Sequence, residues 1–309
     1  MSEPQQTEPF NRYGPFPTHS SEWHAHRRLC IGASEVASIL GAPGAYQTPL
    51  QVWAEKRGLF EEDEEEYAKE KQDWLRFGNL LEPVIADEFE VRSGYPVTPE
   101  DQQFISCQHG FLGCSLDRWT WIEDVRGPLD LKNTAIFFKE DWEDAAPLRY
   151  QIQVQAQMAV TGADIGALAV LIGGNQFRWT TIERNQRFIN IMLEKVERFW
   201  EMVQNDEMPE PVAKDNSFIG QLLGDETEGA TIVLSPAIVD VDADLTKIKE
   251  EIKGLKAQKD ALEAKIKKEI GTNERGLLPE GGQYTFKTVE RQSYTVAASS
   301  ARQLRRVKG

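Results

Sequence analysis

Residues 102–183 constrain the fold more than any other part of the chain. "QQFISC", "FLGCSLDRWTWI" and "PLDLKN" are short runs bounded by Gly or Pro, which predicts an antiparallel meander of strands. "LRYQIQVQAQMAVTG" follows at 148–162. Its glutamines mimic strand alternation, but Leu148, Ile152 and Met158 to Val160 also suit a helix ended by Gly162, and helix is the expectation. "IGALAVLIGG" reads as a buried strand and "QFRWTTIE" as its hairpin partner.

The flanks read as helices. Ser34 to Leu40 is a short one, and Pro49 to Arg57 another with Thr48 as N-cap. The acidic run at 61–70 is a surface loop or helix face. A longer helix covers about Trp74 to Ser93, with Leu81, Ile85 and Phe89 every four residues and Gly94 as its stop. "NQRFINIMLEKVERFWEMVQ" places Phe188, Ile191, Met192, Val196, Phe199 and Val203 on one face. Near Asp240 a second segment begins. Leu245, Ile248, Ile252, Leu255, Leu262, Ile266 and Ile270 follow a coiled-coil-like seam interrupted by Lys259. A small β-unit and a basic tail, "ARQLRRVKG", follow. The expected organisation is an extended or disordered N-terminus at 1–20, a globular domain at 21–235, and a C-terminal helical segment at 240–309.

Charge and cysteine content narrow the function. The net charge of −15 speaks against a uniformly basic nucleic-acid footprint. From Leu245 onward the balance reverses, with 15 Lys and Arg against 8 Asp and Glu. Three cysteines without a CxxC spacing point away from a disulfide framework or a zinc site and toward a reducing, cytoplasmic setting. No apolar run is long enough for a membrane span, and "MSEPQQTEPFNRYGPFPTHS" does not read as a signal peptide. His19, His24, His26 and His109 read as surface or loop residues rather than ligands, and Trp119 and Trp121 as core.

The chemistry centres on Asp130 and Lys132. Residues two apart on a strand share a face, so the carboxylate and the ammonium point together. A salt-bridged edge strand is the simpler account. Asp117, however, ends the preceding strand-like run, and a hairpin would bring it beside Asp130. Two adjacent carboxylates repel, and a divalent cation resolves the repulsion. Oxygen ligands suit Mg²⁺ or Mn²⁺. Glu82 adds a third acid. Pro83 after it suggests that Glu82 lies in the first turns of its helix, aimed at the same centre. A nearby Lys132 would stabilise developing negative charge, as metal-assisted phosphodiester hydrolysis requires.

Five blocks, "RRLCIGASEVASILG", "FGNLLEP", "LGCSLDR", "PLDLKN" and "YQIQVQAQMAVTG", together resemble the PD-(D/E)xK nuclease superfamily over roughly residues 20–205. More narrowly, they resemble its YqaJ-type viral recombinase family, which includes lambda-type exonuclease. The resemblance implies an α/β, restriction-endonuclease-like core with a central mixed sheet flanked by helices. It implies a Mg²⁺-dependent enzyme, with Mn²⁺ as a possible substitute and two ions per site, degrading one strand of duplex DNA from its 5′ end to mononucleotides. Asp117 and Asp130 match the metal-binding acids, Leu131 offers its carbonyl, Lys132 matches the active-site lysine, and Glu82 the helix acid. Gln153 matches the glutamine that completes the site, with Tyr150 as a possible accessory. Arg27 and Ser34 match a pocket for the 5′-phosphate, and Ser34 opens a predicted helix.

The resemblance further implies double-stranded DNA ends as substrate, a phage single-strand annealing protein as partner, and a ring of three subunits. Two departures stand out. Asp130 replaces the usual Glu, and Arg118 the Gly that often follows the first Asp. An endonuclease of the same superfamily, or a non-catalytic DNA-end or partner-binding module, remains the alternative.

Overall fold

In the computed structural model of the chain, residues 8–16, 20–59, 64–290 and 304–306 are described, with the backbone alone at 64–72, 74 and 75. The expectations for 1–7, 17–19 (with His19), 60–63, 291–303 and 307–309 fall outside the described residues. The chain divides into two compact units, Met1–Gly224 and Asp225–Gly309.

The first unit opens with strand β1 (Phe10–Tyr13), helix α1 (Ser21–Arg27) and the short strand β2 (Ile31–Gly32). The helix expected at 34–40 is two pieces, a 3₁₀ turn at Ala33–Glu35 and helix α2 (Val36–Ile39). Glu35 causes the tight turn by accepting the Gly32 N–H at 2.7 Å. Helix α3 (Pro49–Lys56) begins on a capping box. Thr48 Oγ1 accepts from the Gln51 N–H at 3.1 Å, and Gln51 Oε1 accepts from the Thr48 N–H at 2.9 Å.

Helix α4 (Glu64–Ser93) starts ten residues before the expected Trp74. Pro83 therefore sits deep in its interior, and Glu82 is not in its first turns. The helix continues although the proline ring leaves the Asn79 carbonyl without its usual donor. Ile85 and Phe89 are buried as their spacing requires.

Strands β3 (Val97–Pro99), β4 (Gln103–Ser106), β5 (Leu112–Ser115), β6 (Arg118–Ile122) and β7 (Val125–Thr134) do not form one meander. A four-stranded sheet has the order β1–β4–β5–β2, and β6 and β7 belong to a different sheet. The reason is edge occupancy. Strand β5 pairs antiparallel with β4 on one side and parallel with β2 on the other, so it has no edge left for β6. The chain crosses between sheets at Leu116–Asp117.

Helix α5 (Leu148–Thr161) then carries the chain from β7 to strand β8 (Ile165–Ile172), which pairs parallel with β7. Gly162 ends α5 in the left-handed conformation at φ 72°. Strand β9 (Gln176–Glu183) closes the hairpin, and the five-stranded mixed sheet runs β3–β6–β7–β8–β9. Gly127 is obligatory in this sheet, because a Cβ there would stand 2.0 Å from the Ile165 carbonyl oxygen.

Helices cover both faces of this sheet, as the resemblance implies. Helix α4 packs on Leu129, Leu131, Ala167 and Ala169. Tyr150 of α5 packs on Leu168 and Val170 from the opposite face. Helix α6 (Gln186–Gln204) buries Ile189, Met192, Val196, Phe199 and Val203. Ile191, expected on that face, is exposed, and Ile189 takes its place. Helix α7 (Asp215–Leu222) ends the unit, with Phe218 in the core and Asp215 Oδ1 accepting from Thr48 Oγ1 at 2.5 Å. Trp119 is buried against Phe10 and Phe104.

The second unit holds helix α8 (Ile238–Ile270) and a hairpin of β10 (Arg275–Leu277) and β11 (Gln283–Thr285). The seam residues Leu245, Ile248, Ile252, Leu255 and Leu262 are exposed, and Ile270 is buried. No helix among the described residues is long and apolar enough to cross a membrane. Since α7 closes the core of the first unit, a chain ending at Gly224 is expected to keep a cooperative unfolding transition within a few degrees of the full-length value. Circular dichroism melting of the two forms checks this.

Candidate active site

The hairpin register places the two acids. Arg118 pairs with Leu129, so Asp117, one residue before β6, continues the ladder opposite Asp130. Asp117 Oδ2 accepts the Leu131 N–H at 2.6 Å. The N–H and C=O of one strand residue point to the same edge, so the Leu131 carbonyl lies on the Asp117 side as well.

Asp130 is fully buried on the face covered by α5. Its Oδ1 accepts from Gln153 Nε2 at 2.7 Å and from Gln157 Nε2 at 3.3 Å. Its Oδ2 lies 2.6 Å from Lys132 Nζ. Burial raises the Asp130 carboxyl, the Lys132 charge opposes this, and the Asp117 charge adds to it; the pKa is pushed up to about 6. Burial lowers the Lys132 ammonium, but Asp130 and Asp117 outweigh it and hold that group above the ordinary lysine range. Lys132 Nζ also lies over the Tyr150 ring, 5.2 Å from its centroid. Tyr150 meets Tyr46 oxygen to oxygen at 2.6 Å, and burial together with Tyr46 pushes its pKa up to about 12.

Glu82 stands apart. It comes from α4, on the other face of the sheet, and accepts a hydrogen bond from Arg118 Nη1, which also donates to the Asp117 carbonyl. Burial and the Asp117 charge raise its carboxyl, against Arg118. Among the described residues no three His, Cys, Asp or Glu side chains form a group that could hold a metal ion. Two carboxylates are enough for Mg²⁺, which keeps several waters. Asp117 and Asp130 are hard oxygen donors whose mutual repulsion raises Asp130, and the donor set fits such a cation.

A cleft of about 170 Å³ connects this centre to the N-terminal block, being lined by Arg27, Ser34, Ser115, Asp117 and Gln153. Ser34 is exposed within the 3₁₀ turn, so no long helix lends it a dipole. Arg27 stacks on Trp23, its Cζ 4.7 Å from the ring centroid, and donates from Nη2 to Glu35 Oε1 at 2.6 Å.

Sequence reasoning missed several groups here. His26 is buried rather than on the surface, lines the cleft, and pairs through Nδ1 with Gln103 Oε1 at 2.5 Å. Gln157 joins Gln153 on Asp130, and its spacing of four along a helix was a readable signal. Glu35 and Lys56 are buried charges that nothing in their local sequence marks as such.

Comparison with known proteins adds a lineage. The YqaJ-like viral recombinase domain model matches residues 22–164. The "Uncharacterized protein YqaJ" of Bacillus subtilis (strain 168) is 31% identical over 266 residues, which is 83% of this chain and 80% of that protein. Among solved structures, an alkaline exonuclease from Laribacter hongkongensis is similar at TM-score 0.47 and 19% identity, over 61% of this chain and 94% of that one. A phage-related exonuclease from Haemophilus somnus 129PT is similar at TM-score 0.41 and 13% identity, over 59% of this chain and 98% of that one.

Proposed function

The chain belongs to the YqaJ-like viral recombinase family, and from that premise we propose that it is a nuclease: a Mg²⁺-dependent exonuclease that degrades one strand of linear duplex DNA from its 5′ end. The observation that carries the reading is one cleft lined both by Arg27 and Ser34 and by Asp117 and Gln153. A cation site and an anion site then sit within reach of one nucleotide end.

Asp117, Asp130 and the Leu131 carbonyl would hold the metal, with Glu82 joining once it releases Arg118. A divalent cation bound by these residues would supply Lewis-acid polarisation of the scissile phosphate. Gln153 and Gln157 fix the orientation of Asp130 through their amides. Lys132, backed by Tyr150, presents its ammonium to the charge that develops on the phosphate. Arg27 and Ser34 donate to a terminal 5′-phosphate, Arg27 as a planar fork. The products would be mononucleotides and a 3′ single-stranded overhang for an annealing partner. The proposed enzyme works in the cytoplasm of the host cell as a ring of three subunits, with Mn²⁺ able to replace Mg²⁺.

Linear duplex DNA with 5′-phosphates, incubated with the protein and Mg²⁺, is expected to lose one strand with mononucleotide release, and EDTA is expected to stop it. Binding of DNA ends without hydrolysis under Mg²⁺ and Mn²⁺ would instead identify a non-catalytic module. Nicking of closed circular DNA would identify an endonuclease.

A further inference from the structure

Beside the cleft lies a group of three charges taken from three elements: Glu35 and Lys56 are buried, and Arg27 is partly exposed. Glu35, in the 3₁₀ turn, is 3% exposed. Its Oε1 accepts from Arg27 Nη2 at 2.6 Å and from Lys56 Nζ at 2.9 Å, and its Oε2 stands 2.8 Å from the same Nζ. Lys56, on α3, has a side chain only 1% exposed. Its ammonium also donates to the Arg27 carbonyl at 2.6 Å. Burial would raise the Glu35 carboxyl, but Lys56 and Arg27 outweigh burial and hold it below the ordinary carboxylate range, so it is charged.

A capping carboxylate needs only the Gly32 N–H, and a buried charge is costly unless paired. One carboxylate shared by two cations pairs both incompletely. An Arg27–Glu35 pair alone would be neutral, and its carboxylate would repel an arriving dianion. With Lys56 these three groups together carry one positive charge in excess, part of which the nearby Glu55 carboxylate offsets at Arg27. Arg27 still has a buried Nε without a hydrogen-bond partner among the described residues, and its guanidinium is fixed between the Trp23 ring and Glu35. Ser34, adjacent to Glu35, lines the same cleft.

We infer that Glu35 and Lys56 are positioning residues that hold Arg27 and supply the excess positive charge by which the cleft selects a terminal phosphate monoester over an uncharged 5′-hydroxyl. This rests on the proposed function and adds the residues that tune its end selectivity. Neither residue touches the substrate. They act through Arg27, whose orientation and unneutralised charge they set.

The test compares kcat/KM on two linear duplexes that differ only in 5′-phosphorylation, for the wild type, Lys56→Met and Lys56→Gln. The ratio between the two substrates is the readout. A merely structural defect lowers both rates alike and leaves the ratio standing. The ratio is expected to fall ten-fold or more in Lys56→Met, chiefly through KM on the phosphorylated end. If Lys56→Met does not fold, Lys56→Gln, which removes the same charge and keeps an amide donor for the Arg27 carbonyl, is expected to lower the ratio in the same sense. A folded variant with the wild-type ratio overturns the inference while leaving the proposed exonuclease intact. A wild-type ratio of one removes the end-phosphate site and the inference together, and that failure shows without any mutant.

Discussion

Asp130→Asn will reduce DNA hydrolysis under Mg²⁺ by about a thousand-fold or more. The substitution keeps the side-chain shape and an oxygen acceptor for Gln153 and Gln157, and it removes the charge that faces Asp117. A polarising cation contributes several kcal/mol to the transition state. At 1.36 kcal/mol per decade, its loss amounts to about three decades. Lys132→Met should lose turnover to a similar degree for a different reason. It leaves both acids in place, so metal-dependent DNA binding should persist while the developing charge loses its ammonium. Single-turnover assays with a labelled 5′ strand measure the first quantity, and anisotropy with unlabelled competitor the second. Full activity of Asp130→Asn under Mg²⁺ would remove this pair of acids from the reaction.

Arg27→Ala should erase most of the preference for phosphorylated 5′ ends. A charge-assisted hydrogen bond is worth about 1.5–3 kcal/mol. At 1.4 kcal/mol per decade, one such bond predicts a wild-type preference of about ten- to a hundred-fold. Slow degradation should remain, because Asp117, Asp130 and Lys132 are untouched. Equal wild-type rates on phosphorylated and hydroxyl ends, or digestion that begins at 3′ ends, would exclude the 5′-directed mechanism and leave a generic metal nuclease.

How far the sequence foretold this arrangement depended on periodicity. The hairpin of β6 and β7, the helix at 148–161 and the buried strand at 165–172 each carry a pattern that one period explains, and they fold accordingly. The division of the strands between two sheets has no such signature. "LGCSLDRWTW" alternates across Leu116 and Asp117, and the split depends on which edges of β5 are taken, a long-range fact. The early start of α4 is hidden by acidic residues that suit a solvated loop equally well. Pro83 misled because a proline this deep in a helix is rare. Asp130 and Lys132 were legible because a strand forces them onto one face. The Glu35–Lys56 pair was not, because the two lie 21 residues apart on short helical turns and meet only through packing.

The Leu116–Asp117 crossing between the two sheets has a mechanical meaning under the proposed reading. The sheet before it carries Gly113, Cys114 and Ser115 on the cleft wall beside Arg27, the crossing itself holds Asp117, and the sheet after it carries Asp130 on β7. The part that grips an end and the part that cuts are thus joined by one dipeptide, a ruler made of covalent bonds. Consecutive Cα atoms across a trans peptide are held about 3.8 Å apart. Loosening of either sheet could blunt the rate without altering the length of the fragment released. A residue inserted at this joint is expected to reset that length, because it shifts the acids against the Arg27 pocket while every side chain that grips or cuts is kept.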